Sequence, residues 1–252
     1  MLKSRVIPVL LLKDQGLVKT IKFKHPVYVG DPINAIKIFN EKEVDELIFL
    51  DIEASSKGKR PALDLIESIA SECFMPFCYG GGINSIQVIR EVLKLGVEKV
   101  AINSFALENP GFIKEASSIF GSSTIVVSID VKKNMLGKYR IYSRTGVNNV
   151  GGDVLDYARL MEANGAGEIL LNSVDRDGSM SGYDIKLVKM ISSAVGIPVI
   201  ACGGAGGLGD FRDAIKDGGA SAVGAGSYFV FHGKHKAVLI TYPKKEDLES
   251  II

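Results

Sequence analysis

The feature that most constrains this chain is that it says roughly the same thing twice. The segment DELIFLDIEAS, beginning at Asp45, returns as GEILLNSVDRDGS, beginning at Gly167. MPFCYGGGINS, beginning at Met75, returns as IPVIACGGAGG, beginning at Ile197, and both pairs lie 122 positions apart. A period that long exceeds any solenoid repeat and marks a duplicated half-domain. One correspondence fails: RVIPVLLLKD, from Arg5, aligns with TIVVSIDVKK, from Thr124, and Leu11 stands where the second copy has Asp130.

Short apolar runs rich in Val and Ile recur at Arg5–Leu11, Glu46–Ile52, Pro76–Tyr79, Lys99–Asn103, Thr124–Asp130, Glu168–Ser173, Pro198–Cys202 and Ala222–Gly226. Their near-continuous hydrophobicity is that of strands covered on both faces. Amphipathic stretches such as Ser85–Leu95, Val154–Asn164 and Asp184–Ala194 lie between them. Eight strands alternating with helices predict parallel βα units, closed as a (β/α)₈ barrel or open as a doubly wound sheet. Four-plus-four duplication favours closure. No linker divides the 252 residues, so we expect one α/β barrel domain of two half-barrels, about 1–122 and 123–252. Asp31-Pro32 and Pro110 read as helix starts. The segment Lys13–Val29 lacks clear periodicity and reads as a long loop after the first strand.

A net charge of +1 gives no case for a nucleic-acid partner, and no run approaches the roughly 18 apolar residues of a membrane span. With no signal-peptide pattern, a soluble cytoplasmic protein is expected. Cys73, Cys78 and Cys202 lack metal-like spacing and read as small buried hydrophobes. The three histidines form no ligand cluster, and nothing calls for a metal or a cofactor.

Glycine clusters or short polar pairs follow four strand candidates. Gly81 and Gly82 follow the third and Asn103-Ser104 the fourth; their counterparts are Gly203-Gly204 after the seventh and Gly226-Ser227 after the eighth. Glycine lets backbone N–H groups approach a phosphate, and a helix N-terminus adds a favourable dipole. Two matched pairs point to two phosphate sites; tight βα turns are the alternative. Asp177 and Gly178 join the second site through a backbone amide or a loop-ordering side chain. Carboxylates at strand C-termini face a barrel's active site. Asp130 reads as functional, with only Lys132 as an obvious local partner, whereas Asp51 serves either chemistry or its loop, toward Ser55. Lys19 reads as a phosphate-facing loop residue. Arg5, Glu46, Lys99 and Glu168 each begin a strand, so two positive and two negative side chains could ring the N-terminal mouth, although solvated charges are common there.

The segments DELIFLDIEAS, GGGI, EKVAINS, VVSIDVK, GAGEILLNSVDRDGSMSGYD and ACGGAGG resemble the cyclase subunit of imidazole glycerol phosphate synthase, a histidine-pathway (β/α)₈ barrel, over almost the whole chain. The resemblance implies two phosphate sites for a phosphorylated small molecule. It also implies a partner glutaminase at the opposite mouth, with ammonia passing through the barrel, and makes the four charges the gate at its entrance. The family's reaction uses two aspartates as acid and base; Asp130 matches one and Leu11 occupies the place of the other. Asn172 and Cys202 stand where the family has small hydroxyl residues. A divergent branch carries such substitutions and accompanies a glutaminase and a sugar amidotransferase that converts an acetamido group on a nucleotide sugar to acetamidino. The chain resembles that branch more closely, Leu11 being the main reason. Working histidine-pathway cyclase and non-catalytic activator of the glutaminase are the alternatives.

Overall fold

The computed structural model describes residues 4–143, 153–233 and 235–250. In chain order these form β1 (Arg5–Lys13), β2 (Gly16–Ile21), β3 (Lys24–Gly30), α1 (Pro32–Glu41), β4 (Leu47–Asp51), α2 (Leu63–Glu72), β5 (Phe77–Gly80), α3 (Ile86–Lys94), β6 (Lys99–Ile102), α4 (Ser104–Glu108) and α5 (Gly111–Phe120). There follow β7 (Ile125–Lys133), β8 (Tyr139–Ile141), α6 (Val154–Ala163), β9 (Glu168–Ser173), α7 (Ile185–Ser192), β10 (Val199–Cys202), α8 (Leu208–Lys216), β11 (Ala222–Ala225), α9 (Ser227–Val230), β12 (Phe231–His232), β13 (Ala237–Val238) and α10 (Lys245–Glu249). Strands β1, β4, β5, β6, β7, β9, β10 and β11 pair in parallel in that order, and β11 returns to β1 from Arg5↔Ala222 to Pro8↔Ala225. That last pairing closes the sheet into a (β/α)₈ barrel, as the eight apolar runs predict.

The alternation of strand side chains sorts the core into two layers. Residues such as Phe49, Phe77, Val127 and Leu171 pack outward beneath the helices. Ile7, Val9, Ile48, Cys78, Ala101, Val126, Leu170, Ile200 and Ala222 point inward and fill the barrel. Each fully buried aliphatic or aromatic side chain contributes roughly 1.5–3 kcal/mol. Helix starts follow capping chemistry: Asp31 accepts from the Asn34 N–H at 3.0 Å ahead of Pro32, and Ser85 from the Val88 N–H at 3.3 Å. Pro110 lies one residue before α5, which begins at Gly111.

Two expectations need correction. The segment after the first strand is no loop: β1, β2 and β3 form an antiparallel meander, with Leu11↔Val18, Lys13↔Gly16 and Ile21↔Lys24 in register. Its two-residue turns are Asp14-Gln15, at φ 47° and 67°, and Lys22-Phe23, at φ 51° and 62°. The left-handed conformations there match hairpin turns that usually recruit Asn or Gly, so the sequence carried no turn signal. The fifth barrel strand also runs past Asp130 to Lys133, because β8 pairs with it from Val131↔Ile141 to Lys133↔Tyr139. Both hairpins rise at the C-terminal end of the barrel and meet where the rings of Phe23 and Tyr142 pack edge to face, centroids 5.8 Å apart. No helix among the described residues is long and apolar enough to cross a membrane.

Candidate functional site

One cavity opens at the C-terminal ends of the barrel strands and is lined by Leu11, Asp51, Asp130, both glycine pairs, Asn103-Ser104, Asp177-Gly178, Gly226-Ser227 and Lys19. Residues nominated from separate segments of the sequence thus line one space. Gly81 (φ 117°), Gly82 (φ 71°), Gly203 (φ 84°) and Gly204 (φ 118°) all hold conformations that side chains resist. Close approach requires them too: a Cβ on Gly81 would stand 2.6 Å from the Asp51 carbonyl, and one on Gly204 2.2 Å from the Gly182 carbonyl. Short helices α4 and α9 open at Ser104 and Ser227, one residue beyond the ends of β6 and β11, with Asn103 and Gly226 as their N-caps. Tight turning and open backbone therefore occur together after β5 and after β10.

The three aspartates of the cavity do different work. Asp51 Oδ1 accepts from the N–H groups of Glu53 at 2.9 Å and Ala54 at 3.0 Å, so it orders the loop after β4. The Ser55 hydroxyl, expected to be its partner, instead accepts from the Gly82 N–H at 3.3 Å. Asp177 Oδ2 accepts from the Thr20 hydroxyl at 2.9 Å and from the Phe23 N–H at 3.2 Å, tying the β2–β3 hairpin across the mouth. Gly178 must be glycine for the same contact, since a Cβ would lie 2.1 Å from the Thr20 carbonyl. Asp130 accepts from Asn103 Nδ2 at 2.8 Å and from Asn172 Nδ2 at 3.2 Å. Two carboxamides are therefore among its partners, and Lys132 lies over the Tyr142 ring at 5.7 Å. Asn172 had been noted only as a departure from a family pattern. Its inward position, alternating with Glu168 and Leu170 along β9, is the signal that would have placed it in the site.

Lys19, expected on a loop, lies in strand β2. It is buried, donates to the Val9 carbonyl at 2.6 Å, and its Nζ occupies the space 2.4 Å from where a Gly226 Cβ would stand. Burial lowers its pKa to about 8, against the upward pull of Asp177. Burial also pushes the Cys202 thiol up to about 12, so it is present as a thiol, not a thiolate. Leu11 sits in register with Leu50 and Val18 and gives the cavity an apolar wall.

At the other end, Arg5 donates to both Glu46 and Glu168. Lys99 Nζ closes the ring at 3.0 Å from Glu46 and 2.9 Å from Glu168. The four strand-start charges therefore form one alternating circuit across the N-terminal mouth. Burial alone would lower the Arg5 and Lys99 pKa values, but the two carboxylates outweigh it and raise both. Between circuit and cavity lies the inward apolar layer of Ile7, Ile48, Cys78, Val126, Leu170 and Ile200.

The fold and the cavity together define a single (β/α)₈ barrel with a ligand-sized space at the C-terminal ends of its strands. The chain matches the Histidine biosynthesis protein family over residues 5–236 and belongs to it. It is 53% identical over 249 residues, 99% of each chain, to a Pseudomonas aeruginosa protein named provisionally as imidazole glycerol phosphate synthase subunit hisF2. It is 50% identical to a Leptospira borgpetersenii protein with a similarly provisional HisF name, over all of this chain and 99% of the other. Identity is 42% over 92% of each chain to the protein of Alkaliphilus metalliredigens named imidazole glycerol phosphate synthase subunit HisF.

Proposed function

We propose that this barrel is a cyclase-like synthase subunit of a glutamine amidotransferase complex. It receives ammonia from a glutaminase docked at the N-terminal mouth and conducts it through the barrel toward acetamidino modification of a nucleotide sugar for surface polysaccharide. The observation that carries this reading is the pairing of Leu11 with Asp130 in one cavity. Leucine neither transfers a proton nor hydrogen-bonds a hydroxyl, and loss of one member of an acid/base pair removes orders of magnitude in rate. The ring of Arg5, Glu46, Lys99 and Glu168 supports an entrance at the opposite mouth. The apolar layer above it suits a small neutral molecule and opposes an ion, whose desolvation there would be expensive. In this reading the two half-barrels, 1–122 and 123–252, keep one glycine-lined phosphate site each, around Gly81-Gly82 with Ser104 and around Gly203-Gly204 with Ser227. Lys19 adds positive charge to the second.

The retained glycine pairs favour a second reading, a working imidazole glycerol phosphate synthase cyclase of histidine biosynthesis. Incubating the purified chain with the phosphoribulosyl-formimino carboxamide ribotide and ammonium salt decides between them. Substantial imidazole glycerol phosphate formation sinks the first reading; none, with glutamine-derived nitrogen reaching a nucleotide sugar in the reconstituted complex, supports it. A non-catalytic activator of the glutaminase would stimulate glutamine hydrolysis without Lys99→Ala changing how much nitrogen reaches product.

A further inference from the structure

Lys19 is the most deeply buried lysine among the described residues, 5% exposed, and it lines the cavity at the C-terminal mouth. The barrel makes room for it there. Strand β1 pairs with β11 as far as Pro8↔Ala225, and just past that seam the Val9 carbonyl accepts from Lys19 Nζ at 2.6 Å. Gly226, the residue after β11, lacks the side chain that would collide: its Cβ would fall 2.4 Å from Nζ and 3.2 Å from Cε. Other lysines at this mouth, Lys13, Lys57 and Lys133, pair with the carboxylates of Glu53 and Asp184. Lys19 instead donates to a neutral carbonyl, which an uncharged amine satisfies as well as an ammonium, and Asp177 acts on it through space. Desolvation outweighs that attraction and lowers the pKa to about 8, so an appreciable fraction of the amine carries a lone pair near neutral pH.

We infer that Lys19 is a nucleophilic amine that forms an imine with a short phosphorylated aldehyde or ketone bound in this cavity. This goes beyond the ammonia reading above and rests on it for the phosphate site at Gly203-Gly204. That pair follows β10, the strand beside β11, so a phosphate there stands about one strand spacing, roughly 5 Å, from the seam that holds Nζ. The span matches the reach from the phosphate of a three-carbon sugar to its carbonyl. The Nζ lone pair attacks the carbonyl carbon as the C=O π pair moves to oxygen, which takes a proton. The carbinolamine then loses that oxygen as water, nitrogen gives up its proton, and C=N forms. Amine and carbonyl thus give imine and water, with no oxidant or reductant. Leu11, Leu50 and Phe105 keep part of the wall apolar, which favours loss of water, while Ser128 and Asn103 face the same space as partners for sugar hydroxyls. The titratable neighbours of Lys19 in the cavity are Asp51, Asp130, Asp177 and the Cys202 thiol.

The test incubates the purified full chain with dihydroxyacetone phosphate and sodium borohydride, which reduces an imine to a stable amine, and reads the product by intact mass and peptide mapping. A single reduced adduct at Lys19 is expected, formed at least about tenfold faster than with unphosphorylated dihydroxyacetone. Inorganic phosphate should slow it. Lys19→Arg keeps the charge but forms no imine and should abolish the adduct. Gly226→Ala keeps the lysine but displaces Nζ and should slow it. If circular dichroism shows either variant unfolded, the phosphate dependence of wild-type labelling decides. An unlabelled Lys19, label spread over exposed lysines such as Lys22 and Lys24, or equal rates with both ketones overturns the inference. Phosphate bound, by ³¹P NMR, to a chain that forms no adduct sinks the imine and leaves the phosphate site standing. Conversely, a Lys19 adduct in a chain whose reconstituted complex delivers no glutamine nitrogen to a nucleotide sugar sinks the ammonia reading and leaves the imine.

Discussion

Removing Lys99 tests the ring most directly. Its ammonium donates to Glu46 at 3.0 Å and to Glu168 at 2.9 Å, and those carboxylate side chains are only 4% and 10% exposed. Lys99→Met keeps the stem and deletes both bonds. Hydrogen bonds to charged groups contribute roughly 1.5–3 kcal/mol each, and breaking a buried pair commonly destabilises by about 3–5 kcal/mol. Arg5 still donates to both carboxylates, so the expected loss lies near the low end, about 3 kcal/mol. At roughly 2–4 °C per kcal/mol for a chain of this size, the melting temperature should fall by about 6–12 °C in thermal denaturation followed by circular dichroism. Adding Glu46→Gln removes one of the two stranded charges and should recover part of the loss, so the double-mutant cycle reports a coupling of at least about 1 kcal/mol. The pH dependence has a definite sign. The Lys99 pKa is raised above the ordinary 10.5, so its stabilisation is fully present below 10.5 and disappears as pH rises through the folded-state value. The gap between wild type and variant should stay constant across neutral pH and close only above about 10.5. A variant that melts within about 1 °C of wild type would show four solvated charges rather than a circuit.

The other expectations concern the cavity. Leu11→Asp places a second carboxylate in the mouth and should raise any ribotide cyclisation measured with ammonium by tenfold or more; an unchanged rate refutes the importance assigned to position 11. Thr20→Val deletes the hydroxyl that Asp177 accepts and should destabilise the hairpin by about 1–2 kcal/mol, read as faster hydrogen exchange confined to β2 and β3. Lys19 carries a pKa lowered to about 8, so charging it in the fold is penalised below that value and the penalty is relieved as pH rises from about 8 toward 10.5. Wild-type stability should therefore rise over that window relative to Lys19→Met in urea titrations; a parallel course would refute the burial of a charged Lys19. Gly204→Ala, at φ 118° with its Cβ 2.2 Å from a carbonyl, should cost at least about 2 kcal/mol in the same titrations.

Much of this arrangement was legible because barrels tie residue position to place. A polar residue at the start of a strand faces one mouth and a glycine or aspartate at its end faces the other, so Arg5 and Lys99 could be separated from Asp130 and Gly203 without coordinates. What escaped was built from exceptions. The β2–β3 hairpin turns on Asp14-Gln15 and Lys22-Phe23, residues that give no warning of positive φ. Lys19 reads from the sequence as a loop residue facing phosphate, yet it lies on a strand of the hairpin, which folds back and buries it against Val9. Asn172 looked like a mere departure, since its meaning depends on β7 and β9 lying side by side with Asp130 opposite it.

By itself the sequence determined the alternation of eight apolar runs with helices, and therefore a parallel βα architecture, because side-chain periodicity is a local property. It also determined that Leu11 breaks the correspondence with Asp130, since identity needs no coordinates. Only the tertiary structure decided that β11 returns to β1, that the four strand-start charges join into one circuit, and that Asp130 is held by two carboxamides. Each of those depends on atoms brought within about 3 Å from residues 27 or more positions apart, distances that shear and closure of the barrel set and that no local pattern encodes.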